Sequence, residues 1–348
     1  MFEKSFITDC EGPLTLNDNA FEVSAHFIEN GDELFKILSL YDDYLVDVVK
    51  KDNYKAGNTL KLILPFFVCE NIKNSDLIDF SQNNIYAVKD SKFLLKYLKE
   101  SMNTYIISTS YGQYIEALSN YMNFPFENTF YTKVDVDALS LNDEEIKIIS
   151  DFKEKILENP NDYELFDRIF FDEIPQMGIY EEIKKIDVVG GEGKRLAIDE
   201  IIMRDAIDVN EILYIGDSIT DVEPLDFARK NNGISISFNG NEYPMKVAEI
   251  AIVSPSAVAT CVIADIYCGT DKSNVLKFIE DYNNSGSLLD LFDEYNVDLE
   301  IKNKFFNVFK NENYPLIKII DENNYDDILK VSKDMRNSIR GQDIGGLG

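Results

Sequence analysis

Three apolar runs of this chain end in residues suited to phosphate or metal chemistry. The terminal residues are Asp9, Ser108 and Asp217. Lys194 opens a helical pattern shortly before the third run. An aspartate, a serine, a lysine and a second aspartate, in that order, are the groups that a magnesium-assisted phosphoryl-transfer site requires. The chain predicts such a site if its fold brings these four side chains together.

Strand-like and helix-like patterns alternate along most of the chain, which predicts an α/β protein whose parallel sheet is covered on both faces. The predicted strands are residues 5–9, 104–108, 129–136, 212–216, 234–238 and 250–253. The predicted helices between them are residues 89–100, 111–121, 194–206 and 221–231. Ligands of such sheets bind outside the carboxyl ends of the strands. Asp9, Ser108 and Asp217 are all expected at that edge.

The helix over residues 194–206 carries Leu196, Ile198 and Ile202, which we expect on its buried side. Two helical blocks, the second of them charged, interrupt the alternating pattern and are predicted as cap insertions. A further charged helical segment follows the core and ends in a predicted mobile tail at residues 341–348. The predicted division is 1–17, 86–139 and 187–268 for the core, 18–85 and 140–186 for the insertions, and 269–348 for the extension.

The four motifs, in this order and with three of them at strand ends, resemble those of the haloacid dehalogenase superfamily of phosphohydrolases. The resemblance extends from residue 9 to residue 221 and leaves out the insertions and the last quarter of the chain. It implies a Rossmann-like core with a parallel sheet. In this superfamily a cap after the first motif, or between the second and third, closes over the site and excludes water. Both places are filled here.

The resemblance implies a role for each motif residue. Asp9 would be the nucleophile that forms an aspartyl-phosphate, which water then hydrolyses. Glu11 stands where the superfamily has a second aspartate as general acid and base, so the carboxylate is kept on a side chain one methylene longer. Ser108 and the following Thr109 would hold the phosphoryl oxygens, and the charge of Lys194 would offset the phosphate and the neighbouring carboxylates.

The segment 216–221 contains two carboxylates four residues apart, directly after a glycine. Carboxylates are the hard oxygen ligands that Mg²⁺ prefers. The resemblance implies that Asp9, Asp217 and the backbone carbonyl of Glu11 bind the ion. Asp221 is either a further ligand or the residue that orients Lys194.

A glycine-rich string at residues 190–194 invites comparison with a nucleotide-binding P-loop. Val188 occupies the position of the first required glycine, and Arg195 stands where serine or threonine is needed. The P-loop interpretation therefore fails.

The composition narrows the classes of partner. The 348 residues include 63 acidic and 34 basic side chains, for a formal net charge of -29. Such a charge repels nucleic acid and anionic membranes, so neither is an expected partner. The four cysteines show no CxxC spacing. With the first strand starting close to Met1 and no uninterrupted apolar span, we expect a cytoplasmic protein.

The leading hypothesis is a Mg²⁺-dependent phosphatase for a small phosphorylated metabolite. A phosphotransferase or mutase would use the same residues and stays open. A third hypothesis is a non-catalytic or regulatory subunit, because residues 9–13 resemble the start of an archaeal group from methanogens assigned as subunit R of energy-converting hydrogenase A. Under that hypothesis the partner is the hydrogenase complex. A homo-oligomer also stays open.

Overall fold

The structure is a computed structural model and describes residues 2–310 and 314–347. Within these residues one seven-stranded sheet has the order β3-β2-β1-β4-β5-β6-β7. Its strands are β1 Ser5–Thr8, β2 Asn103–Tyr111, β3 Thr129–Thr132, β4 Ile212–Gly216, β5 Ile234–Phe238, β6 Ile250–Val253 and β7 Leu316–Ile319. Strands β1 to β6 are parallel, and β7 is antiparallel to β6. The predicted α/β class with a parallel sheet is confirmed.

Helices cover both faces of the sheet and form the segments between the strands. In chain order they are α1 Asn19–Phe27, α2 Gly31–Asp43, α3 Thr59–Leu62, α4 Leu64–Cys69, α5 Asn74–Asn83, α6 Ser91–Leu98, α7 Gly112–Met122, α8 Asp143–Glu158, α9 Tyr163–Asp167, α10 Tyr180–Ile183, α11 Glu192–Asp205, α12 Val222–Lys230, α13 Glu242–Val247, α14 Val258–Gly269, α15 Lys272–Asn284, α16 Leu288–Glu294, α17 Leu299–Val308 and α18 Tyr325–Gly345. Gly341, with φ +81°, breaks the regular geometry of α18. No helix of the described residues is both long and apolar enough to cross a membrane.

Strand β1 lies at the centre of the sheet, and all four of its residues are buried. It pairs with β2 on one side and with β4 on the other, and Thr8 lies beside Ile106 and Ile215. A strand that is covered on both faces needs apolar residues without alternation, which explains the continuous apolar run before Asp9. The registers bring the residues that follow β1 and β4 to one edge of the sheet.

Most predicted strands agree with the structure, and the differences have local causes. Strands β4, β5 and β6 match their predicted bounds. Strand β3 ends four residues early, at Thr132, because Val136–Ala138 forms a 3-10 turn. Strand β2 continues past Ser108 to Tyr111, with a register shift against β3 after Ile107. Strand β7 was not predicted from the sequence.

The two helical insertions pack together in a single hydrophobic cluster that is separate from the clusters on the sheet. The ring of Tyr41, in α2, meets that of Phe166, in α9, edge to face at a centroid distance of 5.3 Å. Phe66 and Phe170 form a second edge-to-face pair at 6.4 Å. We call residues 18–85 and 140–186 together the cap, because their apolar side chains form one core.

The C-terminal segment packs against both the sheet and the cap. Helices α15 to α17 join the sheet cluster through Phe278, Phe292 and Phe305. Helix α18 then crosses back toward the cap, where Ile344 and Leu347 pack against the apolar cluster. Of the predicted mobile tail, residues 341–348, Ile344 and Leu347 pack against the cap in this structure, and Gly348 lies outside the described residues.

Candidate active site

Three buried aspartates meet at the edge of the sheet where β1 and β4 end. Asp9 follows β1, and Asp217 and Asp221 lie after β4. One carboxylate oxygen from each residue lies within 4.8 Å of the other two. The chain thus brings together three of the acidic groups that the sequence predicted as metal ligands.

Lys194 lies between two of these aspartates and has no exposed surface. Its ammonium is 2.7 Å from Oδ2 of Asp9 and 2.7 Å from Oδ1 of Asp221. Burial alone would lower the pKa of Lys194, but the charges and hydrogen bonds of Asp221 and Asp9 outweigh it and raise that pKa above its usual range. Lys194 is therefore a fixed positive charge beside Asp9.

The start of helix α11 aims Lys194 at the site. Gly191, with φ +52°, precedes the helix, and its backbone N–H donates to the carbonyl of Thr220 at 2.9 Å. A Cβ on Gly190 would lie 2.2 Å from the carbonyl oxygen of Ala56, a cap residue. The glycines of the P-loop-like string thus allow close approach between the helix start, the loop after β4 and the cap.

Asp221 is held by protein donors on both of its carboxylate oxygens. Oδ1 accepts from Lys194 and, at 2.7 Å, from the hydroxyl of Tyr214. Oδ2 accepts from the backbone N–H groups of Asp217 at 3.0 Å and Ser218 at 3.2 Å. Burial would raise the pKa of Asp221, but Lys194 and these donors hold it below its usual range. Asp221 therefore stays ionised.

Asp9 is buried at the floor of the site. Its Oδ1 accepts from the backbone N–H of Cys10 at 2.7 Å, and its Oδ2 faces Lys194. Burial and the charge of Asp221 raise the pKa of Asp9 well above its usual range, and Lys194 offsets only part of the rise. In this structure, therefore, the charged form of Asp9 depends on nearby positive charge.

Asp217 is paired with two arginines that the sequence analysis did not single out. Nη1 of Arg336 contacts its Oδ2, and Nη1 of Arg340 lies 3.0 Å from the same oxygen. Both arginines lie on α18, more than a hundred residues along the chain. Gly12, with φ +99°, leaves room for this carboxylate, since a Cβ there would lie 2.1 Å from Oδ2 of Asp217.

Glu11 lines the site but is bonded to the cap. Its Oε1 accepts from the backbone N–H of Asn19 at 2.8 Å, at the start of α1. Burial and the neighbouring Asp18 raise the pKa of Glu11 well above its usual range. The protonated form of Glu11 thus persists to higher pH than for an exposed glutamate.

A cavity of about 110 Å³ lies above these residues, between the sheet edge and the cap. Asp9, Glu11 and Asp217 line it, as do Thr109 and Ser110. The side-chain oxygens of Thr109 and Ser110 are buried without a hydrogen-bond partner among the described residues. Buried hydroxyls without partners are uncommon, and they supply donors for a ligand in the cavity.

Ser108 is placed behind the cavity rather than on its wall. It is buried, and its Oγ accepts from the backbone N–H of Ser110 at 3.1 Å. This bond lies within the last residues of β2, which present Thr109 and Ser110 to the cavity. Ser110 was not singled out from the sequence, although it follows the predicted Ser108 and Thr109 directly.

The carboxylates of Asp9, Asp217 and Asp221 fit the hard-oxygen donor set that Mg²⁺ prefers. Asp9 and Asp217 line the cavity, whereas both oxygens of Asp221 accept hydrogen bonds from the protein. Among the described residues, Asp9 and Asp217 would therefore be the ones to hold an ion in the cavity.

The mostly parallel sheet, and the meeting of Asp9, Lys194, Asp217 and Asp221 at one of its edges, agree with the arrangement that the resemblance to the haloacid dehalogenase superfamily implies. A solved gene product of Archaeoglobus fulgidus is similar over 99% of both chains, with 27% sequence identity and a TM-score of 0.82. Its likeness therefore includes the cap and the C-terminal helices as well as the core.

Two further solved structures are similar over less of the chain. A phospho-aspartyl intermediate analogue of phosphoserine phosphatase matches 72% of this chain and 93% of its own, with 12% identity and a TM-score of 0.47. A phosphoserine phosphohydrolase-like protein from Francisella tularensis matches 74% and 99%, with 15% identity and a TM-score of 0.47. No protein-family model and no curated protein matches the sequence.

Proposed function

We propose that the protein is a Mg²⁺-dependent phosphatase that hydrolyses a small phosphorylated metabolite, with Asp9 as the nucleophile. One observation carries the proposal: the buried Lys194 lies 2.7 Å from a carboxylate oxygen of Asp9, and Asp9 lines the cavity between the sheet edge and the cap. A buried carboxylate–ammonium pair is costly to desolvate and is a weak source of stability. Its position beside a cavity favours a chemical role.

Asp9 and Glu11 divide the chemistry between them. A carboxylate oxygen of Asp9 attacks phosphorus, and the bond from phosphorus to the ester oxygen breaks as Glu11 gives that oxygen a proton. Water then attacks the phosphorus of the aspartyl-phosphate and gives a proton to Glu11. This second step releases inorganic phosphate and restores the carboxylate of Asp9.

The environment of Glu11 supports the role of general acid. Burial raises its pKa, so that a larger fraction carries the proton that the first step needs. The hydrogen bond from the backbone N–H of Asn19 to Oε1 fixes the side chain of Glu11, which lines the cavity. Glutamate is one methylene longer than aspartate, and this longer side chain reaches the start of α1, where the backbone N–H of Asn19 donates to it.

Asp9, Asp217 and the backbone carbonyl of Glu11 would hold Mg²⁺, which screens the repulsion between an anionic nucleophile and an anionic substrate. The chain itself supplies Lys194 beside Asp9 for the same purpose. The unpartnered hydroxyls of Thr109 and Ser110 would bind phosphoryl oxygens. Ser108 acts on the site through its bond to the backbone of Ser110.

The cap side of the cavity favours a polar leaving group. Ser39, Asp42 and Thr59 line it, so hydroxyl and carboxylate oxygens face the cavity there. An apolar group would leave these oxygens desolvated without a partner, so a hydroxyl or ammonium group of the substrate would be bound in preference to an apolar one. The small volume favours a metabolite over a phosphoprotein.

A phosphate-release screen with Mg²⁺ tests this function on the wild type and on Asp9→Asn, which cannot form the aspartyl-phosphate. Asp32→Asn, an exposed aspartate on α2, is the matched control. We expect release by the wild type and the control, and a loss of at least about a thousandfold in Asp9→Asn. Release that persists in Asp9→Asn, or no release from any small phosphate ester, would contradict the proposal.

A non-catalytic role as a subunit is favoured by one feature of the site. The carboxylates of Asp9, Asp217 and Asp221 face Lys194, Arg336 and Arg340, so their charges are balanced by the chain alone. A balanced network of this kind requires no ion. Co-purification with a hydrogenase complex, together with silence in the phosphate-release screen, would favour this second function. Transfer of the phosphoryl group to a second metabolite instead of water would identify a mutase.

A further inference from the structure

Two arginines of the C-terminal helix reach the carboxylate that is proposed to bind the cation. Arg336 is 3% exposed, and its Nη1 contacts both the backbone carbonyl and Oδ2 of Asp217. Arg340 donates to the same Oδ2 at 3.0 Å. One oxygen atom therefore accepts from two guanidinium groups, and both line the cavity.

The remaining donors of Arg336 hold the end of the chain. Its Nε donates to the carbonyl of Gly345 at 2.9 Å, and its Nη2 donates to that of Leu347 at 3.0 Å. Leu347 also lines the cavity and packs against the cap. Arg336 thus connects the carboxylate of Asp217 to the residues that close the cavity on that side.

The remaining donors of Arg340 hold the entrance to the cap. Its Nε donates to the carbonyl of Leu16 at 3.1 Å, and its Nη2 donates to that of Asn17 at 2.6 Å. These residues lead from the first motif into α1. A surface pair between Lys36 and Asp343, at 2.7 Å, joins α2 to the same segment. Helix α18 therefore bridges the sheet edge and the cap.

A divalent cation bound through Oδ2 of Asp217 would compete with both guanidinium groups for that oxygen. It would also place two further positive charges beside Arg336, in a buried position where repulsion is screened little. The other donors of Arg336 and Arg340 hold the tail and the entrance to the cap. Movement of these side chains away from Asp217 therefore changes how both segments are held.

We propose that Arg336 and Arg340 form a latch that a divalent cation releases from Asp217, and that this release loosens residues 336–347 from the cap. The proposal rests on the proposed cation site. Because binding couplings are reciprocal, the latch lowers the affinity for the cation by the same factor by which the cation destabilises the latched state. The arginines are positioning residues for Asp217.

Two measurements on the full chain test the latch. Isothermal titration calorimetry gives the Mg²⁺ affinity of the wild type, Arg336→Ala, Arg336→Lys and a control variant. The control is Lys333→Ala, which lies on the same helix as Arg336 and removes an exposed ion pair with Glu242. Hydrogen exchange of residues 336–347 is followed with and without Mg²⁺. We expect Mg²⁺ to bind Arg336→Ala at least about fivefold more tightly than the wild type. Arg336→Lys should lie nearer the wild type, and Lys333→Ala should equal it.

Faster exchange of residues 336–347 on addition of Mg²⁺, in the wild type but not in Arg336→Ala, is the second expected result. Mg²⁺ binding that is equal or weaker in Arg336→Ala, with unchanged tail exchange, would overturn the latch and leave the proposed function standing. If none of the four proteins binds Mg²⁺, the latch and the metal-dependent function fail together. Tighter binding by all three variants alike, the control included, would also overturn the latch.

Discussion

Lys194 and Asp221 form an ion pair of 2.7 Å in which neither side chain has any exposed surface. The pair connects the first turn of α11 to the loop after β4, 27 residues further along the chain. Desolvation makes such a pair costly to bury, and removing one partner leaves an uncompensated charge inside the protein. The same ammonium also faces Asp9, so its loss would affect two carboxylates.

Replacing Lys194 with methionine is expected to lower the free energy of unfolding by about 3–5 kcal/mol at neutral pH, because Asp9 and Asp221 would lose their shared cation. Urea unfolding followed by circular dichroism measures the change. Lys185→Met, at an exposed lysine, is the control and should change stability little. A stability of Lys194→Met equal to that of the control would contradict the structure of the site.

Replacing Glu11 with glutamine tests its part in proton transfer. The amide oxygen of glutamine can still accept from the backbone of Asn19, so the fold should be kept while the titrating proton is lost. We expect phosphate release to fall by about a hundredfold to ten-thousandfold. Steady-state assays compare it with the control Asp32→Asn, at an exposed aspartate of the cap. Full activity in Glu11→Gln would assign the acid and base to another group.

Replacing Gly12 with alanine should disturb Asp217 through sterics and through the backbone. The new Cβ would lie 2.1 Å from Oδ2 of Asp217, and the φ of +99° is unfavourable for any residue with a Cβ. We expect a loss of about 1–3 kcal/mol in stability. Thermal unfolding measures it against Gly178→Ala, where a Cβ would meet no atom within 4 Å. Equal melting of the two variants would rule out the close approach.

Asp42 should make stability depend on pH in a defined direction. Burial raises its pKa from 3.8 to about 6, so the folded state binds the proton more tightly than the unfolded state. The contribution of Asp42 to the free energy of unfolding is therefore fully present below about pH 4. It is lost as the pH rises through about 6, and the total loss is up to about 3 kcal/mol. Asp42→Asn should lack this component.

Urea unfolding between pH 4 and pH 8 isolates the contribution of Asp42 as the difference between the wild type and Asp42→Asn. Acidic groups that do not interact with Asp42 contribute equally to both proteins and cancel. Asp43 does interact with it, since the charge of Asp42 helps to raise the pKa of Asp43 to about 8, so the same difference is also measured in an Asp43→Asn background. The exposed Asp32→Asn, on the same helix, should follow the wild type at every pH. A difference between wild type and Asp42→Asn that does not vary with pH would contradict the raised pKa.

The motif residues could be predicted because their signals are local. Asp9 and Asp217 each follow a short apolar strand, and the topology of a parallel sheet then fixes their common edge. Lys194 lies where its motif predicts, but the predicted buried side of its helix was partly wrong. Leu196 is 51% exposed, because the buried face of α11 contains Lys194 and continues through Ile198 and Ile201. The hydrophobic pattern could not include a buried lysine.

The arginines on Asp217 could not be predicted, because their contact depends on how the chain returns to the site. Arg336 lies 119 residues after Asp217 and on a helix whose charged sequence is typical of an exposed one. Strand β7 was missed for a similar reason, since an edge strand of four residues has only a weak periodic signal. In both cases tertiary contacts decide a structure that local propensity leaves open.

The shared core of the cap has a consequence for how the protein can change. Its rings from α2 interlock with rings from α9, although the two helices belong to stretches separated by the second and third strands. Neither stretch can be exchanged with that of a relative without leaving the other half of the interface unfilled. A substitution that changes the size of a ring on one side of this interface is therefore expected to need a compensating change on the other side.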